Sequence, residues 1–388
     1  MATSANKSSL PFSDEHTQLR ESIRAFVTRE VAPHVETWER DTFPDSIVAR
    51  MGELGFLGLS MPEEYGGQGG DYFANIVLAE EIARGSCGGF LMGLSVHTDM
   101  VMPPLLQFGT EEQKQRWLVP GIAGEQIYCL GITEPDAGSD VAAIRTRAVL
   151  DEGSGEYVIN GSKTYITNGQ RASMIMLVTK TDPAAGYDGF TIFLVPMDAS
   201  GVIREQKLEK MGMHASDTAL LAFQDVRVGA DAVLGQVGKG FQQIMWELQA
   251  ERAIAAAGCL AYAQWAFEFT LAYALERKTF GRPLGTHQAI RHKFAQMATE
   301  LEATRRLIYA TATDYAAGAY NVREISIAKL KATQTAWLVA DTCVQILGGA
   351  GYMREYPIER VMRDLRLYRI GAGADEIMLD VIGKSYGL

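Results

Sequence analysis

Hydrophobic positions in the first third of the chain recur every three or four residues, the period of an amphipathic helix. Ser13 and Asp14, residue types that cap helix N-termini, stand just before the first periodic run. Pro44 suits the first position of a second helix, where its missing N–H leaves no hydrogen bond unmade. The apolar positions of the first helix are Leu19, Ile23, Phe26, Val27 and Val31. Further helices are predicted over Pro44 to Leu54, Phe73 to Arg84 and Glu111 to Ile122.

The middle of the chain, Ile127 to Val233, consists of short β-rich runs separated by turn residues. Gly153-Ser154-Gly155 and Asn160-Gly161 predict turns between such runs. This pattern of short strands and turns predicts a compact sheet or small barrel of roughly 100 residues. The predicted strands are Gln126 to Thr133, Ala142 to Leu150, Tyr157 to Ile159, Met174 to Lys180, Gly189 to Pro196 and Thr218 to Phe223.

After Gly240 the helical period returns and the helices become long. An apolar stripe with i, i+3, i+4, i+7 spacing opens the first one, which continues to about Arg277. Four helices joined by short loops predict an up-down bundle. The stripe consists of Phe241, Ile244, Met245 and Leu248. The other helices are predicted over Gln288 to Ala317, Glu324 to Leu347 and Glu359 to Arg366.

Composition narrows the class of protein. A length of 388 residues allows two or three domains, and a net charge of −11 argues against a nucleic-acid partner. The four cysteines form no CxxC pair and the six histidines show no ligand spacing, so neither a disulfide framework nor a metal site is expected. With no membrane-length apolar run and no recognisable targeting segment, we expect a cytoplasmic bacterial protein or a processed organellar one.

A charged pair, Glu251 and Arg252, interrupts the apolar stripe of the first long helix, three and four residues after Leu248. A carboxylate against apolar surface has a raised pKa unless it is paired, and this is how a glutamate becomes a base near neutral pH. A partly buried ion pair at a helix contact accounts for the same pattern. The spacing alone leaves both interpretations open.

Two polar segments follow predicted strands. Leu130 to Asp140 combines glycines with hydroxyl side chains, which suits a polar heterocycle or a phosphate but also an ordinary loop. Tyr165-Ile166-Thr167-Asn168-Gly169 would present an aromatic ring and a hydroxyl on one strand face. Two glycine clusters, Leu347 to Tyr352 and Ile370 to Glu376, lie in helical sequence outside any βαβ unit, so a Rossmann fingerprint is disfavoured.

From about Phe12 to its end, the chain resembles the acyl-CoA dehydrogenase family. Two stretches match the family's signatures, Gly131 to Asp140 and Gln345 to Asp364. The resemblance implies an α+β fold with an N-terminal helical domain (10–126), a middle β domain (127–236) and a C-terminal four-helix bundle (237–388). It also implies a homotetramer with FAD between the β domain and the bundle. Further landmarks are Pro62 to Gly67, Tyr165 to Gly169 and Glu276 to Gly281.

The resemblance assigns ligand contacts residue by residue. Tyr165 stands where the family usually has Trp, and Ala374 replaces a usual Thr. Residues at the diphosphate and adenosine end of FAD would act partly across a subunit interface. The residues implied to contact FAD are Leu130, Ile132, Thr133, Ser139, Tyr165, Ile166, Thr167, Arg277, Phe280, Gln288, Gln345, Ile346, Gly348, Gly349, Ala374 and Glu376. Those implied to contact the acyl-CoA are Ser139, Gln249, Arg252, Gly371 and Ala372.

The chain departs from the common family pattern at the base, because Ala372 occupies the position of the usual glutamate. Isovaleryl-CoA and long-chain acyl-CoA dehydrogenases carry their base on the bundle helix, in a Glu-Arg pair that Glu251-Arg252 matches. The resemblance thus implies that Glu251 is the base and that the product is a trans-2-enoyl-CoA. Electrons would pass to an electron-transferring flavoprotein.

Gly371 stands where many family members have Tyr, which implies a branched or bulky acyl chain, isoprenoid chains included. Two alternatives stay open at this point. One is an acyl-CoA oxidase or flavin monooxygenase on the same fold. The other is a flavin- or CoA-binding protein without catalysis, suggested by the missing C-terminal base.

Overall fold

The computed structural model describes residues 11–388, and the segment before the sheet is helical. Ser13 caps the first helix by accepting a hydrogen bond from the His16 N–H, as predicted. Pro44 is the residue before its helix rather than the first helical residue, because its ψ of 154° is extended. The helices are α1 (Asp14–Phe26), α2 (Val35–Trp38), α3 (Asp45–Glu53), α4 (Tyr72–Ala83), α5 (Gly88–Ser95), α6 (Met102–Phe108), α7 (Glu111–Gln113) and α8 (Val119–Ile122). π-Helical turns cover Val27–Val31, Val96–Val101 and Lys114–Leu118.

The middle segment forms a seven-stranded curled sheet in the order β1-β4-β2-β3-β7-β6, with β5 paired to β4. The pairs β1–β4 and β2–β4 are parallel, and the other pairs are antiparallel. Buried side chains of β4 and β5 form much of the sheet's core. The strands are β1 (Tyr128–Gly131), β2 (Arg147–Asp151), β3 (Glu156–Thr167), β4 (Met174–Lys180), β5 (Phe190–Pro196), β6 (Val202–Lys207) and β7 (Thr218–Val228).

The turn predicted at Asn160-Gly161 is wrong, because both residues lie inside β3. The register of β3 against β7 shifts between Ile159 and Gly161, and Gly161 has a φ of 152°. A side chain there would bring a Cβ to 2.5 Å from Thr146 Oγ1. The glycine therefore permits a bulge and a close approach of two strands instead of a turn.

The C-terminal segment is helical and centred on one helix, α11, which packs against α9, α10, α13 and α14. α14 was not predicted and makes this a larger assembly than four helices. The main core joins α4, α9 and α11 through Ile76, Tyr262 and Ala336. Among residues 11–388, no helix is long and apolar enough to cross a membrane. The elements are α9 (Gly240–Glu276), β8 (Lys278–Thr279), β9 (Arg282–Pro283), α10 (Gln288–Ala316), α11 (Val322–Leu347), α12 (Gly349–Tyr352), α13 (Ile358–Tyr368) and α14 (Asp375–Ser385).

Candidate active site

Helix α9 carries buried charges because it lies between α4 and α11, with apolar neighbours on both sides. Glu251 and Arg252 are each only 6% exposed. Arg252 does not pair with its neighbour; its Nε donates to the Ala372 carbonyl at 3.0 Å. No Glu251–Arg252 ion pair forms in the part of the chain that the structure describes. The ion-pair interpretation left open by the sequence is therefore wrong for this structure.

The loop between α13 and α14 is held by two buried cations. Besides Arg252, Lys329 of α11 donates from its Nζ to the Gly373 carbonyl at 2.6 Å. Ala372 has a φ of 56°, which is costly for a residue with a Cβ, so the two hydrogen bonds keep the loop in a conformation it would otherwise avoid. Within residues 11–388 the Ala372 N–H has no acceptor. A ligand can therefore accept a hydrogen bond from this N–H.

Burial raises the pKa values of two acids at this cluster and lowers the pKa of its lysine. Burial raises the pKa of Glu251 above its ordinary 4.5, and attraction to Arg252 opposes part of that rise. Burial likewise raises the pKa of Asp99 to about 6, although Ser95 donates to it at 2.7 Å. Burial lowers the pKa of Lys329 to about 8. Such environments suit proton transfer.

Gln249, also predicted to contact substrate, lies on the same helix and is buried. Its Nε2 donates to the Met245 carbonyl at 3.0 Å. Its Oε1 is buried without a donor among the residues that the structure describes. Gly371 lies in the loop between α13 and α14 (the held loop), where an added Cβ would meet only the Leu367 carbonyl oxygen, at 3.7 Å.

A second cluster positions Thr133 after β1. The Thr133 carbonyl accepts from the Thr164 N–H at 2.9 Å. Lys163 donates to the carbonyl of Ile132 at 2.9 Å and to Glu134 at 2.8 Å, so both neighbours of Thr133 are fixed by one ammonium. Glu134 and Lys163 are buried, and the predicted polar loop is therefore anchored to β3.

Tyr165 does not follow the regular strand alternation that the sequence predicted. Its φ is 61°, and the pairing of β3 with β7 shifts register between Lys163 and Ile166. The Tyr165 side chain is 71% exposed, whereas Ile166 is buried and Thr167 half-buried. A bulge thus turns an aromatic ring to solvent next to the Thr133 loop.

The remaining predicted cofactor residues form separate groups. Phe280, after α9, is 97% exposed, and Arg277 and Gln288 beside it are exposed too. In the described chain, no hydrogen bond or ion pair connects these groups to Thr133 or Glu251. Close to Thr133 in the chain stand Leu130, Ile132 and Ser139; at the end of α11 lie Gln345, Ile346, Gly348 and Gly349; at the start of α14 lie Ala374 and Glu376.

Lys329 and Lys163 are site residues that the sequence interpretation missed. Lys329 is 0% exposed and lies among apolar positions of α11, with Ile325 four residues before it and Ala332 three residues after. A charged residue among apolar helix positions is the same signal that singled out Glu251. Lys163 stands in an alternating strand and gives no comparable signal.

Comparison with known proteins agrees with this architecture. Residues 13–125, 129–226 and 238–387 match the N-terminal, middle and C-terminal domains of acyl-CoA dehydrogenases. The chain belongs to the acyl-CoA dehydrogenase family. It is accordingly an FAD-dependent enzyme that dehydrogenates acyl-CoA.

Individual relatives match over nearly the whole chain. Mitochondrial isovaleryl-CoA dehydrogenase of Solanum tuberosum is 38% identical over 98% of this chain and 92% of its own. Mouse (Mus musculus) mitochondrial long-chain specific acyl-CoA dehydrogenase is 38% identical over 96% of this chain and 86% of its own. The crystal structure of acyl-CoA dehydrogenase from Geobacillus kaustophilus has a TM-score of 0.94 at 40% identity, covering 97% of this chain and 99% of that one.

The residues present fit the flavin that the family binds. An exposed Tyr165 ring beside a fixed Thr133 offers a flat aromatic surface with polar groups at its edge. At the residues predicted to hold the diphosphate and adenosine, a side chain added at Gly348 or Gly349 would meet nothing within 4 Å. A ligand can therefore approach the backbone closely there. Phe280 provides further uncovered aromatic surface.

Proposed function

We propose that this enzyme oxidises an acyl-CoA to the trans-2-enoyl-CoA with Glu251 as the base. The observation that carries the proposal is a buried Glu251 carboxyl next to Arg252, whose side chain holds the Ala372 carbonyl. A candidate base is thereby connected to a loop with a free N–H donor. These are the two groups that proton removal beside a thioester carbonyl requires.

The α-proton of a thioester is weakly acidic, so its removal needs stabilisation of the enolate oxygen as well as a base. The Ala372 N–H donates to that oxygen, and Arg252 and Lys329 keep this donor in place through the carbonyls of the loop. Glu251 takes the proton, and its raised pKa brings the carboxyl closer to the range needed for transfer. When bound, FAD supplies the acceptor for the hydride that leaves the β-carbon.

For the cofactor, we propose that Thr133, Tyr165 and Thr167 hold the isoalloxazine, with Leu130, Ile132, Ile166, Ala374 and Glu376 nearby. The diphosphate and adenosine would be held by Arg277, Phe280, Gln288, Gln345, Ile346, Gly348 and Gly349. A second subunit would supply part of that set, because these side chains are separate from the Thr133 cluster within one chain. This arrangement requires at least two subunits, and size measurement of the holoenzyme tests the homotetramer that we propose.

The proposed acceptor of the electrons is an electron-transferring flavoprotein. Anaerobic reduction of a dye, with no peroxide formed in air, is the result we expect. Stoichiometric peroxide in air would favour an oxidase on the same fold instead.

We further propose a branched or bulky acyl chain. Gly371 and Ala372 leave space at the held loop, since an added Cβ at Gly371 would be in ordinary contact with one carbonyl oxygen only. The matched isovaleryl-CoA dehydrogenase has a branched substrate in its name. Steady-state kcat/KM values for branched, isoprenoid and straight-chain CoA thioesters of equal carbon number would test this, and a preference for straight chains would refute it.

Glu251→Gln tests the base. We expect kcat to fall by about 10³-fold with FAD still bound, because the amide cannot accept the proton. Glu268→Gln, an exposed position on the same helix, is the matched control and should keep wild-type turnover. Unchanged turnover in Glu251→Gln would disprove its role, and absence of turnover in the wild type with every CoA thioester would favour a non-catalytic binding protein.

A further inference from the structure

Glu247 lies one helical turn before Glu251 on α9 and has no part in the proposed chemistry. It is 1% exposed, and both of its carboxyl oxygens are buried without a well-aligned hydrogen-bond partner among residues 11–388. A buried ionised carboxylate without donors is strongly disfavoured, so such a group in a folded protein requires an explanation.

The groups that face Glu247 give it no cation of its own. On its own helix these are Glu251 and Arg252, and Asp99 faces it from the Val96–Val101 turn. Arg252 uses its Nε on the Ala372 carbonyl. Burial, followed by repulsion from the adjacent carboxyl of Glu251, raises the pKa of Glu247 and so favours its protonated form.

Tyrosines near this part of α9 do not supply a donor either. Tyr320 donates to the Met245 carbonyl at 2.6 Å, and Tyr72 donates to the Ala250 carbonyl at 3.2 Å. Tyr315, whose ring lies 4.8 Å from that of Tyr72, is the remaining titratable group facing Glu247. The cluster thus contains three carboxyl groups against the cations of Arg252 and Lys329.

We propose that Glu247 is protonated in the resting enzyme and donates a hydrogen bond to the carboxylate of Glu251. Glu247 is then a positioning residue that keeps the base ionised and oriented in a buried site. This inference rests on the proposed role of Glu251. Side chains four residues apart on a helix are neighbours, so the contact requires no rearrangement of α9.

The proposal predicts the sign of a pKa change. A neutral donor stabilises the ionised form of Glu251 and lowers its pKa, whereas a charged Glu247 would raise that pKa by repulsion. Glu247→Leu should therefore move the acid limb of the kcat/KM profile to higher pH by about one unit, a tenfold change in proton affinity. Glu247→Gln retains a donor and should move the limb much less. Glu268→Leu, exposed on the same helix, is the control.

A second measurement locates the proton directly. Infrared spectra of the holoenzyme at about pH 8 should contain the C=O stretch of a protonated carboxyl group, lost in Glu247→Gln and retained in Glu251→Gln. This measurement does not depend on Glu247→Leu, so it can be made even if that variant does not fold. An acid limb displaced to lower pH, an unmoved limb, or a band lost only in Glu251→Gln would each overturn the proposal. An active Glu251→Gln enzyme would instead refute the proposed base, while the infrared band would still report on Glu247.

Discussion

Lys329 extends an ammonium group from the apolar face of α11 to the Gly373 carbonyl, in the loop between α13 and α14. Its replacement by Met keeps the length of the side chain and removes one charged hydrogen bond. We expect Lys329→Met to lower kcat by about tenfold to hundredfold, since bonds to charged groups contribute roughly 1.5–3 kcal/mol and each 1.4 kcal/mol is about a factor of ten. FAD content, read from the flavin absorbance, should not change.

Lys331→Met is the matched control, because Lys331 is on the same helix but pairs with Glu300 at the surface. Equal turnover in the two variants would mean that the Gly373 carbonyl needs no cation. A lower kcat in Lys329→Met alone would support the role of the held loop.

The burial of Glu251 could be predicted from the sequence, because the residue stands on an apolar stripe of a single helix. The residues that surround Glu251 could not be predicted from the sequence. The Arg252–Ala372 bond joins residues 120 positions apart, and the periodicity of α9 contains no information about that loop. For the same reason the pattern alone could not decide between a base and an ion pair, and the resemblance to a family was needed.

At the scale of elements, β3 anchors the Thr133 loop through the buried Lys163–Glu134 pair. Removing one partner leaves an uncompensated buried charge, which costs about 3–5 kcal/mol. Lys163→Met should therefore lower the free energy of unfolding in urea by that amount. Adding Glu134→Gln should restore part of it, because the buried charge disappears while one oxygen remains to accept from the Thr146 N–H. A double variant no more stable than Lys163→Met would contradict this account.

The sequence predicted α1 well because its apolar positions follow the helical period, and it predicted β4 from a continuous apolar run between turns. α5 was missed because nearly all of its residues are buried, which removes the polar face that marks the period. β6 was missed for the opposite reason, since its residues are almost all exposed. The bulge at Tyr165 depends on the pairing of β3 with β7, which no local pattern encodes.

At the scale of the whole molecule, one buried carboxylate joins the three matched segments. Asp364 of α13 accepts hydrogen bonds from the Gly88 N–H at 3.2 Å, the Met213 N–H at 2.5 Å and the Tyr262 hydroxyl at 3.0 Å. Glu39 lies close enough for repulsion between the two carboxyl groups to matter. The junction therefore couples the stability of all three segments to pH.

Burial, followed by repulsion from Asp364, raises the pKa of Glu39 from 4.5 to about 7. The folded state then binds this proton more tightly than the unfolded state, so stability is lost as pH rises from 4.5 to about 7. Urea unfolding of the wild type relative to Glu39→Gln should show a loss of about 1–3 kcal/mol across that window. Parallel pH curves for the two proteins would show that Glu39 titrates normally.

The junction at Asp364 also has a consequence for building chimeras from relatives. A middle segment transferred from another family member must bring a backbone N–H to the position of Met213, and an N-terminal segment must do so at Gly88. Both donors are main-chain groups, so the conformation of each loop matters, and position 88 must also stay glycine because an added Cβ would lie 2.6 Å from Asp364 Oδ2. Exchange of substrate-binding parts between distant relatives is therefore limited by the fit of two loops to one carboxylate.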